Sequence, residues 1–145
     1  MTLKVRLLNT APLDYVTPSW PSLYWPFTKK IDIPKYLYFT HDIWFYTLLW
    51  TLVMFALTHG IVAMIGVIMQ IGKGHRSWQY VWAIPLANII IGGIEAFLAG
   101  SVVGVVLGAV YESGYFKMST WIPLLWGLIN ALFLIVSSFS FGGVL

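Results

Sequence analysis

The chain has 145 residues, of which 59% are hydrophobic and only 9% are charged. A soluble domain of this length needs a more polar surface, so the composition excludes an ordinary globular protein and predicts one that folds in lipid. The net charge of +3 is small and the eight basic residues form no run, which gives no case for nucleic-acid binding. The absence of cysteine excludes a disulfide framework and a thiolate metal site.

Residues 1–42 form the first predicted segment, an amphipathic N-terminal arm. The arm holds five of the seven prolines, interleaved with aromatic residues that include Trp20 and Trp25. Proline at this spacing prevents a long helix, and aromatic rings favour the membrane interface or a protein groove. We therefore expect an ordered, extended arm. A flexible tail is the alternative, although such tails are usually poor in aromatic residues.

The apolar composition of residues 43–145, the remainder of the chain, predicts one membrane domain. Its three apolar segments lie at about 43–71, 81–111 and 121–141. The first would be about 44 Å long as a helix, which exceeds a hydrocarbon core of ~30 Å, so it must tilt or project from the membrane. The predicted fold class is an all-α integral membrane protein, with three transmembrane helices preceded by a proline- and aromatic-rich extended arm.

Aromatic and basic residues flank the predicted helices, as is typical of membrane interfaces. We interpret seven of them as interfacial anchors or partner-binding residues: Trp20, Trp25, Trp44, Trp50, Lys73, Arg76 and Trp78. Asp42 suits a helix cap at the start of the first span. The N-terminal side carries four lysines near the spans, whereas the other side carries Lys73 and Arg76 in one very short loop, so the positive-inside rule does not decide the orientation cleanly.

Small residues recur at every fourth position of the second span. They are Gly92, Ala96, Gly100, Gly104 and Gly108. This spacing forms one continuous ridge along a helix, which lets another backbone approach closely in lipid. We predict that this small-residue ridge packs against a helix of this chain or of a partner. A groove for a lipid chain is the alternative.

Each predicted helix carries one polar residue near its middle: His59, Glu95 and Asn130. Asn88 lies seven residues before Glu95 and therefore on nearly the same helical face. A lone carboxylate in hydrocarbon is costly, so Glu95 is expected to be protonated, paired or in contact with water. We expect the three mid-span residues at similar depth, in a buried hydrogen-bond cluster that fixes helix packing. A polar site for a lipid headgroup or a proton is the alternative.

Catalysis has little support in the sequence. The chain contains no HExxH, G-x-S-x-G or phosphate-loop motif, and three helices enclose little volume for a substrate. We expect a noncatalytic protein without metal or cofactor. Thr47, Thr51 and Thr58 share one side of the first span, where we expect them to bond to backbone carbonyls or a neighbouring helix.

The first span and the basic loop after it resemble the transmembrane protein 170 family. The matching positions are Asp42, Trp44, Trp50, Leu52, Val53 and His59, followed by Lys73, His75 and Arg76 in the loop. Ala99-Gly100, Ala109-Val110-Tyr111 and Gly114 also match. The resemblance covers about residues 42–141. The chain departs from the family pattern at Glu95, where the family has a small residue, and in residues 1–41, which match no pattern that we can place.

The resemblance implies a three-helix protein of the endoplasmic reticulum and nuclear envelope, with a lumenal N-terminus and a cytosolic basic loop. Some members are similar to auxiliary subunits of bridge-like lipid-transfer proteins. We therefore expect a noncatalytic subunit, in contact with membrane lipids, that anchors or stabilises such a larger partner through the small-residue ridge and the arm. Two alternatives stay open: a small lipid scramblase or transporter lined by Glu95, Asn88 and His59, and a membrane-shaping protein that acts alone.

Overall fold

Three long helices dominate the computed structural model, which describes residues 11–12, 14–24, 35–73 and 79–141. In chain order, the elements are β1 (Tyr36–Leu37), α1 (Thr40–Ile68), α2 (Ala83–Ser113), β2 (Met118–Ser119) and α3 (Trp121–Phe141). Each helix has the length and the apolar composition needed to cross a membrane. The chain is therefore a multi-pass membrane protein, and the predicted fold class is confirmed.

The helices pack around α1, which contacts both α2 and α3, whereas α2 and α3 contact each other little. α1 and α2 run antiparallel, and α3 returns alongside the first half of α1. Ala131 of α3 meets Phe55 of α1 in a small apolar cluster that also includes Ala96 of α2. Gly127 of α3 lies against Trp50 and Thr51 of α1, close to the contact between Ala131 and Phe55.

A short antiparallel pairing joins the segments that precede α1 and α3. Tyr36 lies opposite Ser119, and Leu37 lies opposite Met118. The side chains of Leu37 and Met118 are fully buried and form a cluster with Ile43 of α1. The sequence did not predict this pairing, because two residues per strand are too few for an alternating pattern to be recognised.

The first two helices begin and end at residues different from those of the predicted spans. α1 begins at Thr40, three residues before the predicted start, and ends at Ile68, three residues before the predicted end. Residues 69–73 form turns, in which Gly72 has φ +92°, a conformation that favours glycine. α2 begins at Ala83 and ends at Ser113, two residues later than predicted at each end.

The threonines of α1 bond within their own helix. Thr47 donates to the carbonyl of Ile43, and Thr51 donates to that of Thr47, each at 2.8 Å. Thr58 donates to the carbonyl of Phe55 at 2.9 Å. These contacts satisfy hydroxyl groups that would otherwise be costly in hydrocarbon.

Candidate functional site

Asp42 connects the arm to the start of α1 through hydrogen bonds. Its carboxylate accepts hydrogen bonds from the hydroxyls of Tyr15 at 3.3 Å and Thr17 at 2.9 Å. The cap position is Phe39 and not Asp42 as predicted, but Asp42 lies in the first turn of the helix, where its negative charge suits the positive end of the helix dipole. Burial first and the negative charge of Asp42 second raise the pKa of Tyr15 from 10.0 to about 12.

The next part of the arm bonds to β2 and to the start of α3. The hydroxyl of Thr120 donates to the carbonyl of Ser22 at 2.9 Å, and the indole N–H of Trp121 donates to the carbonyl of Tyr24 at 2.8 Å. The hydroxyls of Tyr24 and Ser119 lie 3.2 Å apart. We call residues 14–24 the arm platform, because these contacts fix the segment across the ends of two helices.

The arm platform also contacts α1 through Tyr46 and Trp50. The hydroxyl of Tyr46 donates to the carbonyl of Pro18 at 2.6 Å. The rings of Trp20 and Trp50 lie 5.2 Å apart, and Trp20 remains 38% exposed. The indole N–H of Trp50 is buried and has no hydrogen-bond acceptor among the described residues. The platform is thus an ordered aromatic surface with one tryptophan facing outward.

Other predicted anchors lie apart from the arm platform. Trp44 packs against α2, where its Cα lies 3.0 Å from the position that a Cβ at Gly104 would occupy. Lys73 is exposed in the turns that follow α1. Trp25, Arg76 and Trp78 lie outside the described residues.

The small-residue ridge of α2 lies against α1 of the same chain. All five of its residues are buried: Gly92, Ala96, Gly100, Gly104 and Gly108. A Cβ at Gly108 would lie 2.9 Å from the Cα of Thr40, and one at Gly100 would lie 3.1 Å from the Cα of Leu48. The expectation that a partner packs on this ridge is therefore wrong, because α1 already covers it.

His59 and Glu95 meet across the α1–α2 interface. The Nε2 atom of His59 lies 3.2 Å from a carboxyl oxygen of Glu95. Both atoms are buried, and neither has a hydrogen bond of good angle to any described residue, so each is the other's nearest polar partner. One proton shared between imidazole and carboxyl would satisfy both atoms. The Glu95 side chain is still 43% exposed on the outer face of the helices.

The two asparagines do not join this pair. The side-chain amide of Asn88 donates to the carbonyl of Ile84 at 2.9 Å, and that of Asn130 donates to the hydroxyl of Thr51 at 3.1 Å. Thr51 and His59 are eight residues apart, about 12 Å along the helix axis. The expectation of one polar layer is therefore wrong for Asn130. Among the described residues, no group of three or more His, Asp and Glu side chains could hold a metal ion.

A groove of about 550 Å³ lies between the second half of α1 and the first half of α2. Its lining is apolar except for His59 and Asn88. Small residues line it on both helices: Ala56, Gly60 and Ala63 on α1, and Gly92 and Gly93 on α2. Sequence reasoning missed Gly60 and Gly93. The small residues at positions 56, 60 and 63 share one helical face, and this spacing could have indicated that α1 forms one wall of the groove.

Comparison with known proteins places these features in a family. A family model described as Transmembrane protein 170A/B-like matches residues 36–143. The uncharacterized protein YPR153W of Saccharomyces cerevisiae is 38% identical over 138 residues, which cover 93% of each chain. This match extends over most of the arm, in contrast to the expectation that residues 1–41 match nothing. No solved structure matches the chain.

Proposed function

The chain belongs to the Transmembrane protein 170A/B-like family, and on this basis we propose that it is a noncatalytic membrane subunit that anchors a larger partner. The proposed partner is the membrane end of a bridge-like lipid-transfer protein, in phospholipid transport. The resemblance includes a member called Spigot, an auxiliary subunit of such a protein, and we propose the same role here.

The arm platform is the observation that carries this proposal. Its hydrogen bonds to α1, β2 and α3 hold residues 14–24 in one place beside the starts of α1 and α3. Trp20 is backed by Trp50 and partly exposed. A rigid, partly exposed tryptophan is the type of residue that contributes most to protein interfaces, because little entropy is lost when it binds. The platform therefore supports a docking role better than a catalytic one.

Lipid scrambling is less well supported by the placement of the polar side chains. A path for headgroups needs polar groups at successive depths along one surface. Asn88 bonds to its own helix, and Asn130 bonds to Thr51 on another part of the interface. Glu95 pairs with His59. These contacts direct the four polar side chains to partners within the protein and not to a common path.

Co-purification in mild detergent tests the anchoring role. The tagged chain is expected to retain the bridge-like lipid-transfer protein of its own organism at a fixed ratio. Trp20→Ala should lower that ratio by about tenfold or more, as expected for an interface residue worth at least ~1.4 kcal/mol. Phe133→Ala is the matched control, because Phe133 is 75% exposed on α3, away from the platform. Recovery of self-oligomers alone would overturn the proposal.

We further propose residence in the endoplasmic reticulum and nuclear envelope, with the arm in the lumen and the basic loop in the cytosol. The sequence offers a direct test, because Ala11→Ser together with Pro12→Ala completes an Asn-x-Ser acceptor with Asn9 and removes the proline that would block it. A lumenal arm should become glycosylated and shift in mass after this double change. An unmodified double variant, beside a glycosylated lumenal control protein in the same cells, would contradict the orientation.

A further inference from the structure

The groove between α1 and α2 is long and narrow. Its lining runs from Leu52 to Ile68 on α1, about 24 Å at about 1.5 Å per residue, and from Pro85 to Gly93 on α2, about 12 Å. Division of the 550 Å³ volume by these two lengths gives a mean cross-section between about 23 and about 46 Å². Among the described residues, its walls come from α1 and α2 alone. The groove therefore opens from the helix pair toward the bilayer.

Two glycines in the groove are not explained by helix packing. A Cβ at Gly60 or at Gly93 would meet no atom within 4 Å. By contrast, a Cβ at the neighbouring Gly92 would lie 2.6 Å from the His59 ring. Glycine is a poorer helix former than alanine, so its use at positions 60 and 93 weakens the helices without allowing closer contact inside the chain. These two positions preserve open volume.

The shape of the groove identifies what fills it. The atoms that line an open groove facing lipid lose dispersion contacts unless a neighbouring molecule occupies the groove. Carbon atoms in contact lie about 4 Å apart, so a single extended hydrocarbon chain needs a cross-section on the order of 20 Å². A helix with its side chains is about 10 Å wide and would need several times that area. The groove fits one or two hydrocarbon chains and excludes an inserted helix.

A positive charge beyond the end of the groove favours a lipid with an anionic headgroup. Lys73 is exposed in the turns that follow α1, five residues beyond Ile68, where the groove lining ends. A lysine at this level attracts the phosphate of an anionic lipid. We propose that the groove is a binding site for one phospholipid of the bilayer, with an acyl chain between α1 and α2 and an anionic headgroup at Lys73. This site does not require the larger partner.

Photo-crosslinking tests the site directly. The full chain is reconstituted in phosphatidylcholine vesicles with phosphatidylglycerol that carries a diazirine in one acyl chain. We expect label on the groove lining, within residues 56–68 and 85–93, above the level on the exposed face around Val102 and Val106. Label spread evenly over all lipid-facing residues would show ordinary boundary lipid and overturn the proposal. Exclusion of the probe by a second protein helix would overturn it as well.

Two sets of variants separate the chain site from the headgroup site. Gly60→Leu with Gly93→Leu fills the groove without a clash in this chain and should lower groove labelling about tenfold, a change of ~1.4 kcal/mol. Ala109→Leu adds apolar bulk on an exposed helical face outside the groove and should leave labelling unchanged. Undiminished labelling of the filled groove would overturn the proposal.

Lys73→Glu supplies a test that does not alter the helices, because Lys73 is exposed in a turn. The preference for labelled phosphatidylglycerol over identically labelled phosphatidylcholine should fall at least about fivefold, which corresponds to ~1 kcal/mol for one basic residue at an anionic surface. Groove labelling by phosphatidylcholine should persist. An unchanged preference would refute the headgroup assignment.

Discussion

The backbone N–H of Thr40 donates to the carboxylate of Glu112 at 3.0 Å, so the last turn of α2 caps the first turn of α1. The Thr40 hydroxyl donates to the same carboxylate. The cap position of α1, Phe39, offers no side-chain hydrogen bond of its own. Glu112, which is 72 residues from Thr40 in sequence, therefore places its negative charge at the positive end of the α1 dipole.

Removal of this cap should loosen the start of α1. Glu112→Ala is expected to lower the free energy of unfolding by about 0.5–1 kcal/mol, near the lower end for helix caps because Glu112 is exposed. Unfolding in mixed micelles of mild and denaturing detergent, followed by circular dichroism, measures it. Ser113→Ala is the control, since its hydroxyl bonds only to the carbonyl of Val110 nearby. Equal effects of the two substitutions would argue against a specific cap.

Glycines 108 and 93 should respond to alanine with opposite signs. A Cβ at Gly108 would lie 2.9 Å from the Cα of Thr40 and 3.0 Å from its carbonyl oxygen, so α1 and α2 must separate. We expect Gly108→Ala to destabilise the fold by about 1–3 kcal/mol, despite alanine's better helix propensity. Gly93→Ala meets open space and should stabilise it by up to ~1 kcal/mol.

The same unfolding assay compares the two variants with wild type. The helical content of the two variants should equal that of wild type, because the substitutions change how closely α1 and α2 approach each other and not whether the helices form. Stabilisation by Gly108→Ala would mean that the close contact between α1 and α2 is absent in the membrane.

The His59–Glu95 contact should contribute modestly to stability. Interhelical hydrogen bonds in membranes average only ~0.6 kcal/mol, with a maximum near ~1.7. We therefore expect a coupling free energy in this range from the double-mutant cycle of His59→Leu and Glu95→Leu. Glu95→Gln should retain most of the wild-type stability, because an amide N–H can donate to the neutral imidazole. A coupling of zero would show that the two side chains do not interact.

Docking of the arm platform should weaken at high pH through Tyr15. The neutral phenol donates to Asp42, and its pKa is raised from 10.0 to about 12 by burial first and by the Asp42 charge second. This raised pKa means that the stabilisation is complete below pH 10 and is lost as the pH rises toward 12. Acrylamide quenching of tryptophan fluorescence across this range, taken as the difference between the chain and its Trp20→Phe variant, reports the exposure of Trp20 and hence the docking.

Tyr15→Phe separates this titration from that of the other tyrosines and lysines. The variant should dock its arm more weakly at neutral pH by about 0.5–1 kcal/mol, because one partly exposed hydrogen bond is lost. Between pH 10 and 12 it should lose less docking than wild type does. Identical pH profiles for the two proteins would exclude Tyr15 as the titrating group.

The three spans were predictable because each apolar segment has about 20 or more residues, which is the length needed to cross the hydrocarbon core. The ends of α1 were less predictable. Its start depends on Glu112, which is remote in sequence, and its end on turns around Gly72. The four-residue spacing of Gly92 to Gly108 predicted close packing, but it could not identify the partner as α1.

The polar residues show a similar limit. Sequence position placed His59, Glu95 and Asn130 near the middle of their helices, and two of them do meet. Asn130 bonds to Thr51 instead, because α3 lies alongside the first half of α1. The relative height of helices depends on loops and on the arm, and periodicity within a single helix carries no information about it.

The pairing of β1 with β2 also sets an order of events during synthesis. Tyr36 and Leu37 leave the ribosome early, but Met118 and Ser119 follow only after two helices have been made and inserted. At about 5–20 residues per second, the first strand waits roughly 4–16 s for its partner. The two strands must also emerge on the same membrane face to pair. The two strands can therefore pair only over a correctly inserted α1–α2 hairpin, and α3 is made after β2.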